Sequence, residues 1–222
     1  MSVALLLLSD GRFPAGGYAH SGGLEEAVED GLAAHEVPRF LWDRLAAVSG
    51  PECTLALAAA RSARAGDLAA LAELDAEAAA RMPSPPLRAA SRRLGAQLLR
   101  TAATVWPESA LIGAYRQLSE TTPRPVAFGV VAAAVGLADR AAARVYLYEE
   151  ATLITAAAVR LLPLDAAQTA RWLVEAEPLL DSLAANAVGF GGQAAELPSS
   201  FAPALELRSL YHSAREGRLF AT

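Results

Sequence analysis

Lysine is absent from this 222-residue chain, whose 19 basic residues are all arginine. A Walker A loop therefore lacks its lysine and a Schiff-base enzyme its amine nucleophile, so neither chemistry can be built here. Cysteine is nearly absent as well: Cys53 stands alone, which excludes an internal disulfide and suits a reducing cytoplasm. A basic excess is also missing, since 24 acidic residues leave a net charge of −5. A nucleic-acid binder needs a basic face to displace counterions from phosphates, and none is evident.

Long apolar runs are lacking too. The longest uncharged apolar stretch, Val126 to Ala138, is closed by Asp139-Arg140 and falls short of the ~20 residues of a membrane helix. It reads as a buried core helix. Val3 to Leu8 has neither the preceding positive charge nor the length of a secretory signal. The expected location is cytoplasmic, with no membrane contact.

Helical periodicity is what the chain has in abundance. Val37, Phe40, Leu41, Leu45 and Val48 share one face, and Leu87, Ala90, Leu94 and Leu98 another. Gly66-Asp67 ends one helix and caps the next, which carries Leu68, Leu71 and Leu74. Pro107-Glu108 and Thr122-Pro123 mark further starts, with Leu111, Ile112, Tyr115 and Leu118 predicted to face inward. Residues 127–162 read as two central helices. Pro163-Leu164-Asp165 caps another, and Pro178 kinks or restarts it. The prediction is an all-α, single-domain bundle of about eight to ten helices over residues 1–222. Beyond Leu183, Gly189, Gly191-Gly192 and Pro198-Ser199-Ser200 separate an amphipathic stretch, about Pro203 to Arg215. Residues 186–222 are thus expected to form a flexible, detachable tail, with Leu219 and Phe220 exposed near its end.

One segment departs from this helical background. Phe13 to Glu25 holds Gly16, Gly17, Gly22 and Gly23 with Pro14, Tyr18, His20 and Ser21. Glycine supplies backbone conformations that other residues reach at a cost, or lets another backbone come close. The segment is either a loop docked on the protein's own core or a contact surface.

Catalytic constellations are not apparent. His20, His35 and His212 have no second histidine or cysteine at ligand spacing, and His35-Glu36 reads as a solvated pair. No G-x-S-x-G elbow or D-D-x-x-D motif occurs. Glu25-Glu26 and Glu149-Glu150 are helix neighbours about 100° apart, so one of each pair is expected to face solvent. Arg144, Tyr146 and Tyr148 are residue types enriched at interfaces, though their alternation cannot share one helical face. Interface residues, or one core tyrosine with a surface arginine, are the two readings.

Together these residues resemble the UreF family of urease accessory proteins. The resemblance runs through Phe13-Pro14, Gly16, Tyr18, His20-Ser21 and Gly23-Leu24-Glu25, then Leu87-Arg88, Ala90, Leu94-Gly95, Phe128-Gly129 and Gly136. It continues with Arg144, Tyr146-Leu147-Tyr148, Arg160-Leu161 and Pro163-Leu164, and closes on His212 and Arg218-Leu219-Phe220. Departures are Ser213 and Pro86, where the family tends to have glutamate, and the turn after Pro163-Leu164, where the family's glutamines are missing or displaced. The resemblance implies an all-helical, non-catalytic homodimer that binds a UreD-type (also called UreH-type) protein and with it recruits the GTPase UreG. That complex delivers nickel to apo-urease; this chain keeps no cofactor or metal of its own. By the same resemblance Phe13, Gly16, Gly17, Tyr18, His20, Ser21, Arg144, Tyr148, Leu210, His212, Arg218, Leu219 and Phe220 are partner-binding residues. An arginine acting on the GTPase in trans is a compatible refinement. A different class, an all-helical small-molecule-binding regulator with the 126–138 helix lining its pocket, is the alternative.

Overall fold

Helix caps and proline breaks divide the chain as their local chemistry dictates. A computed structural model describes residues 2–119 and 121–221; Met1, Glu120 and Thr222, the last of the expected tail, lie outside the described residues. Twelve α-helices occur among the described residues: α1 (Val3–Ser9), α2 (Leu24–Glu29), α3 (Val37–Arg44), α4 (Gly50–Ala65), α5 (Leu68–Ala80), α6 (Pro85–Val105), α7 (Ala110–Leu118), α8 (Arg124–Ala134), α9 (Asp139–Leu161), α10 (Ala166–Glu175), α11 (Glu177–Gly189) and α12 (Pro203–Ala214). The fold is all-α. The count exceeds eight to ten partly because the apolar run at Val3 to Leu8 is itself a helix.

Side chains of Asp67, Ser84, Ser109 and Asp165 accept hydrogen bonds from first-turn N–H groups of α5, α6, α7 and α10. These are donors that have no partner within the helix. Pro178 sits in the first turn of α11, so it restarts the helix rather than kinking it.

The core is centred on α8, whose residues from Pro125 to Ala132 are all buried. Its closest neighbour is α4. A Cβ on Gly129 would overlap the Ala56 carbonyl oxygen and stand 2.8 Å from Ala59 Cβ, so the two backbones approach as only glycine permits. Helix α9 runs beside them and buries Tyr146, Leu147 and Ile154. A five-residue π-helical turn, Leu45–Ser49, joins α3 to α4 without a break. Such turns re-aim side chains; here Ser49 Oγ meets Glu150 at 3.3 Å.

Two expectations are corrected. Leu118 is 49% exposed, because α7 is short, amphipathic and covered on one side only. The segment after α11 does not hang apart from the body. Residues 186–189 belong to α11, and the following link is held by arginines. Arg61 donates to the carbonyls of Val188 and Phe190, and Arg81 to those of Ala194, Ala195 and Leu197. Helix α12 then lies against α2 and α6, with Ser84 Oγ and Ser209 Oγ 2.6 Å apart in the buried contact.

Candidate functional site: the junction of the glycine segment with the tail

The glycine segment ends in left-handed turns at Gly22 and Gly23 (φ +63° and +89°) that launch α2. A Cβ on Gly23 would overlap Leu205 Cδ1. The missing side chain is what lets α12 lie down here. Helix α2 then presents Glu25 and Glu26 to the tail, and both are buried, at 6% and 3% exposure. This corrects the expectation that one would face solvent: α12 and the residues after it cover the face that an isolated helix would leave open.

Each carboxylate has a defined task. Glu25 accepts the backbone N–H groups of Leu219 (2.6 Å) and Phe220 (3.0 Å). Glu26 accepts from Arg215 at 2.8 Å and lies 3.4 Å from His212 Nδ1. Arg215 also reaches Glu29, and Arg208 reaches Asp30, both at 2.8 Å. His212, 4% exposed, donates from Nε2 to the Phe220 carbonyl (3.3 Å). Arg218 is exposed and donates to the His212 carbonyl at 3.4 Å. Ala221 N–H donates to Ala19 O at 2.7 Å, tying tail to glycine segment directly.

Phe220 is buried at 4%, correcting its predicted exposure. The physical reason is a partner far away in sequence: the Arg160 guanidinium lies 4.1 Å from the Phe220 ring centroid. Leu219 is exposed, as expected.

Beneath this junction lies a charged cluster. Glu150 pairs with Arg124 and, at 3.2 Å, with Arg44, whose Nε donates to the Gly22 carbonyl at 2.9 Å. Glu149 is also drawn inward, 3.4 Å from Arg124, so this second glutamate pair is not split between core and solvent either. Tyr146 donates its hydroxyl to Glu52 at 3.0 Å and lies under Arg124. Burial opposes ionisation of Glu150, yet Arg124 and Arg44 hold its carboxyl below the usual range. Burial pushes Glu149 up to about 7 despite Arg124. Glu52 is raised by burial and by the Glu150 charge. His20 is lowered to about 4, first by burial and then by Arg93 and Arg124.

Two clefts, of about 110 and 130 Å³, share His20, Arg124 and Leu153 in their walls. Among the described residues, no group of three or more His, Cys, Asp or Glu could hold a metal ion. No described helix is long and apolar enough to cross a membrane.

Most of the predicted site residues gather here. Gly16 (φ +90°) and Gly17 bracket the turn into Tyr18, whose side chain is 72% exposed, while His20 and Ser21 are buried. Phe13 packs on Trp106 at a centroid distance of 6.1 Å. Leu210 is exposed on α12, with Leu207 and Tyr211. Arg144 and Tyr148 are elsewhere. Sixteen residues, about 24 Å along α9, separate Arg144 from Arg160, and Arg144 pairs at the surface with Glu177 (3.2 Å) and Asp181 (3.3 Å). Tyr148 is 39% exposed, whereas Tyr146 is the core tyrosine with a satisfied hydroxyl.

Sequence reasoning missed Glu25, Glu26 and Arg160 as organisers of the junction. The available signals were an acidic α2 opposite a tail carrying Arg208, Arg215 and Arg218, and one arginine in the otherwise apolar end of α9.

Comparison with known proteins adds the family. The model of the UreF family matches residues 33–177, between the two segments that form the junction. The chain is 41% identical to the urease accessory protein UreF of Mycolicibacterium vanbaalenii, over 99% of this chain and 98% of that one. It is 37% identical to the protein of that name from Mycobacterium sp. strain JLS, over 99% and 98%. The Granulibacter bethesdensis protein of the same name is 36% identical over 94% and 88%. With nearly its whole length matched, the chain belongs to the UreF family of urease accessory proteins.

Proposed function

We propose that this chain is a non-catalytic scaffold for nickel insertion into apo-urease. It binds a UreD/UreH-type protein through the tail junction and, as part of that complex, recruits a UreG-type GTPase and modulates its GTP hydrolysis. The carrying observation is an exposed apolar row on α12, the helix that the junction holds against α2 and α6. Leu207, Leu210 and Tyr211 lie at helical spacings of three and four on the outer face of α12, and Tyr18 and Leu219 are further exposed apolar groups of the junction. A partner that covers this row adds apolar burial that folding alone leaves out. Arg144 and Tyr148, four residues apart on one face of α9, form the second surface in this reading, turned to the GTPase or to a second copy in a homodimer. Nickel is cargo of the complex, and the site of action is the cytoplasm.

Light-scattering chromatography tests this with the cognate UreD/UreH-type protein and GTPase, comparing the full chain with one ending at Ser200. The full chain forms the ternary complex and the shortened chain does not. Absence of any complex with the full chain, all proteins being folded, overturns the reading.

A further inference from the structure

We propose that the outer faces of α6 and α7 form a basic docking surface for a carboxylate-rich face of a protein partner, separate from the tail junction and from Arg144 and Tyr148. Its part in assembling the complex rests on the function proposed above; the charged face itself does not.

Charge is segregated along this chain. Residues 81–124 carry seven arginines against two glutamates, +5 in a chain whose total is −5, so the rest of the sequence stands at −10. From Ala78 to Pro107 there is no acidic residue at all. Four of the seven arginines are engaged within the fold. Arg81 pairs with Glu77, Arg92 with Asp75 at 3.8 Å and Arg124 with Glu150, while Arg88 donates to the carbonyls of Met82 and Pro83 at 2.6 Å. The other three are exposed. Among the described residues Arg93 and Arg116 make no hydrogen bond or ion pair, and Arg100 reaches only Gln97 in its own helix.

Their placement makes a surface of them. Ala89, Arg93, Ala96, Arg100 and Thr104 recur at intervals of three and four, which is one stripe of α6. Arg93 and Arg100 are about 10 Å apart along the axis, with only the Ala96 methyl group between them. The short side chains leave both guanidinium groups standing above a low surface. Arg116 adds a third charge on α7, which packs beside α6.

The chemistry favours the carboxylates of a protein over the phosphates of a nucleic acid. A guanidinium pairs bidentately with either. The α6 stripe, however, carries no aromatic ring on which a base could stack, and the acidic remainder of the chain repels a polyanion that runs beyond the patch. A protein face that presents its carboxylates locally meets the arginines without crossing that remainder. Exposed charges of this kind steer the encounter, so they set the association rate more than the lifetime of the complex.

The test uses the full chain with R93E/R100E, and with R93Q/R100Q in case the reversal disturbs folding. The control R39E/R171E makes the same change in net charge at two arginines, 86% and 78% exposed, that pair within their own helices. The parent is first titrated with an eight-residue poly-glutamate peptide at about 0.05 M salt and followed by amide NMR. Shifts concentrate in 89–104 and 113–119, are lost in R93E/R100E and R93Q/R100Q, and persist in R39E/R171E. Absence of shifts in the parent, or equal shifts in the R93/R100 variants, overturns the surface. Tighter binding of an eight-nucleotide RNA to the same residues overturns the assignment to protein carboxylates. Association with the UreD/UreH-type protein, the GTPase and apo-urease is measured next. R93E/R100E slows at least one of them about tenfold at low salt, with dissociation nearly unchanged and the difference closing at about 0.5 M. Parent-like rates with all three overturn the role in assembly. Failure of the parent to bind any of them overturns the function proposed above and the assembly role with it, while the peptide titration still decides the surface.

Discussion

His20 and Glu149 flank Arg124 and are shifted in opposite directions, which gives them opposing pH signatures. His20 drops from 6.5 to about 4, so between those values the unfolded chain binds more protons and stability from this group rises with pH. Glu149 climbs from 4.5 to about 7, so the folded chain binds more protons in that window and stability from this group falls as pH rises. The two effects offset each other around pH 5 to 6. Glu149→Gln removes one side of the balance: urea unfolding across pH 4.5 to 8 should show stability rising more steeply than in the parent, with a gain of about 2 kcal/mol at pH 8. His20→Gln should tilt the profile the other way. Parallel profiles for all three proteins refute the assignment. Cys53 offers a simpler check, because burial pushes its thiol up to about 12. Iodoacetamide at pH 8 should leave it unmodified in the folded protein and alkylate it readily in urea.

Helix contacts separate two glycines that look alike in sequence. Gly113 lies within α7, where an added Cβ would meet nothing within 4 Å, whereas Gly129 in α8 faces the α4 backbone. Gly113→Ala should stabilise by about 0.5–1 kcal/mol through helix propensity. Gly129→Ala should cost about 2–3 kcal/mol by forcing α4 and α8 apart, and denaturant midpoints report both. The same contrast explains what could be read from the chain. Starts at Asp67 and Asp165 and the restart at Pro178 were legible because capping and proline chemistry act within a few residues. The α8 core was legible from its uninterrupted apolar run. Burial of Glu25, Glu26 and Phe220 was not, since it depends on pairings with residues far along the chain, and no local pattern encodes a helix face covered by the opposite chain end. Leu118 failed for the complementary reason: helical spacing selects a face but not how far the core extends beneath it.

Charge distribution governs the junction at the scale of the whole molecule. The protein is acidic overall, at −5, yet α12 and the residues after it bring Arg208 and Arg215 to Asp30, Glu26 and Glu29. These pairs are partly exposed and therefore open to screening, while the Phe220 contact and the buried face of α12, with Ser209 and His212, are much less so. Raising salt from about 0.05 to about 0.5 M should speed amide exchange in 201–221 a few-fold without releasing the segment and without affecting α4. Complete release would show that ion pairs alone hold it. The hydrogen bond from Leu219 to Glu25 spans 194 positions, and that span has a consequence during synthesis. Glu25 leaves the ribosome early and waits, with its partners untranslated, until nearly everything else has been made. A chain released before Leu219 keeps α4, α8 and α9 but leaves Glu25 without the two amides that it holds in the finished fold, so the junction is a record of whether translation ran through to the tail.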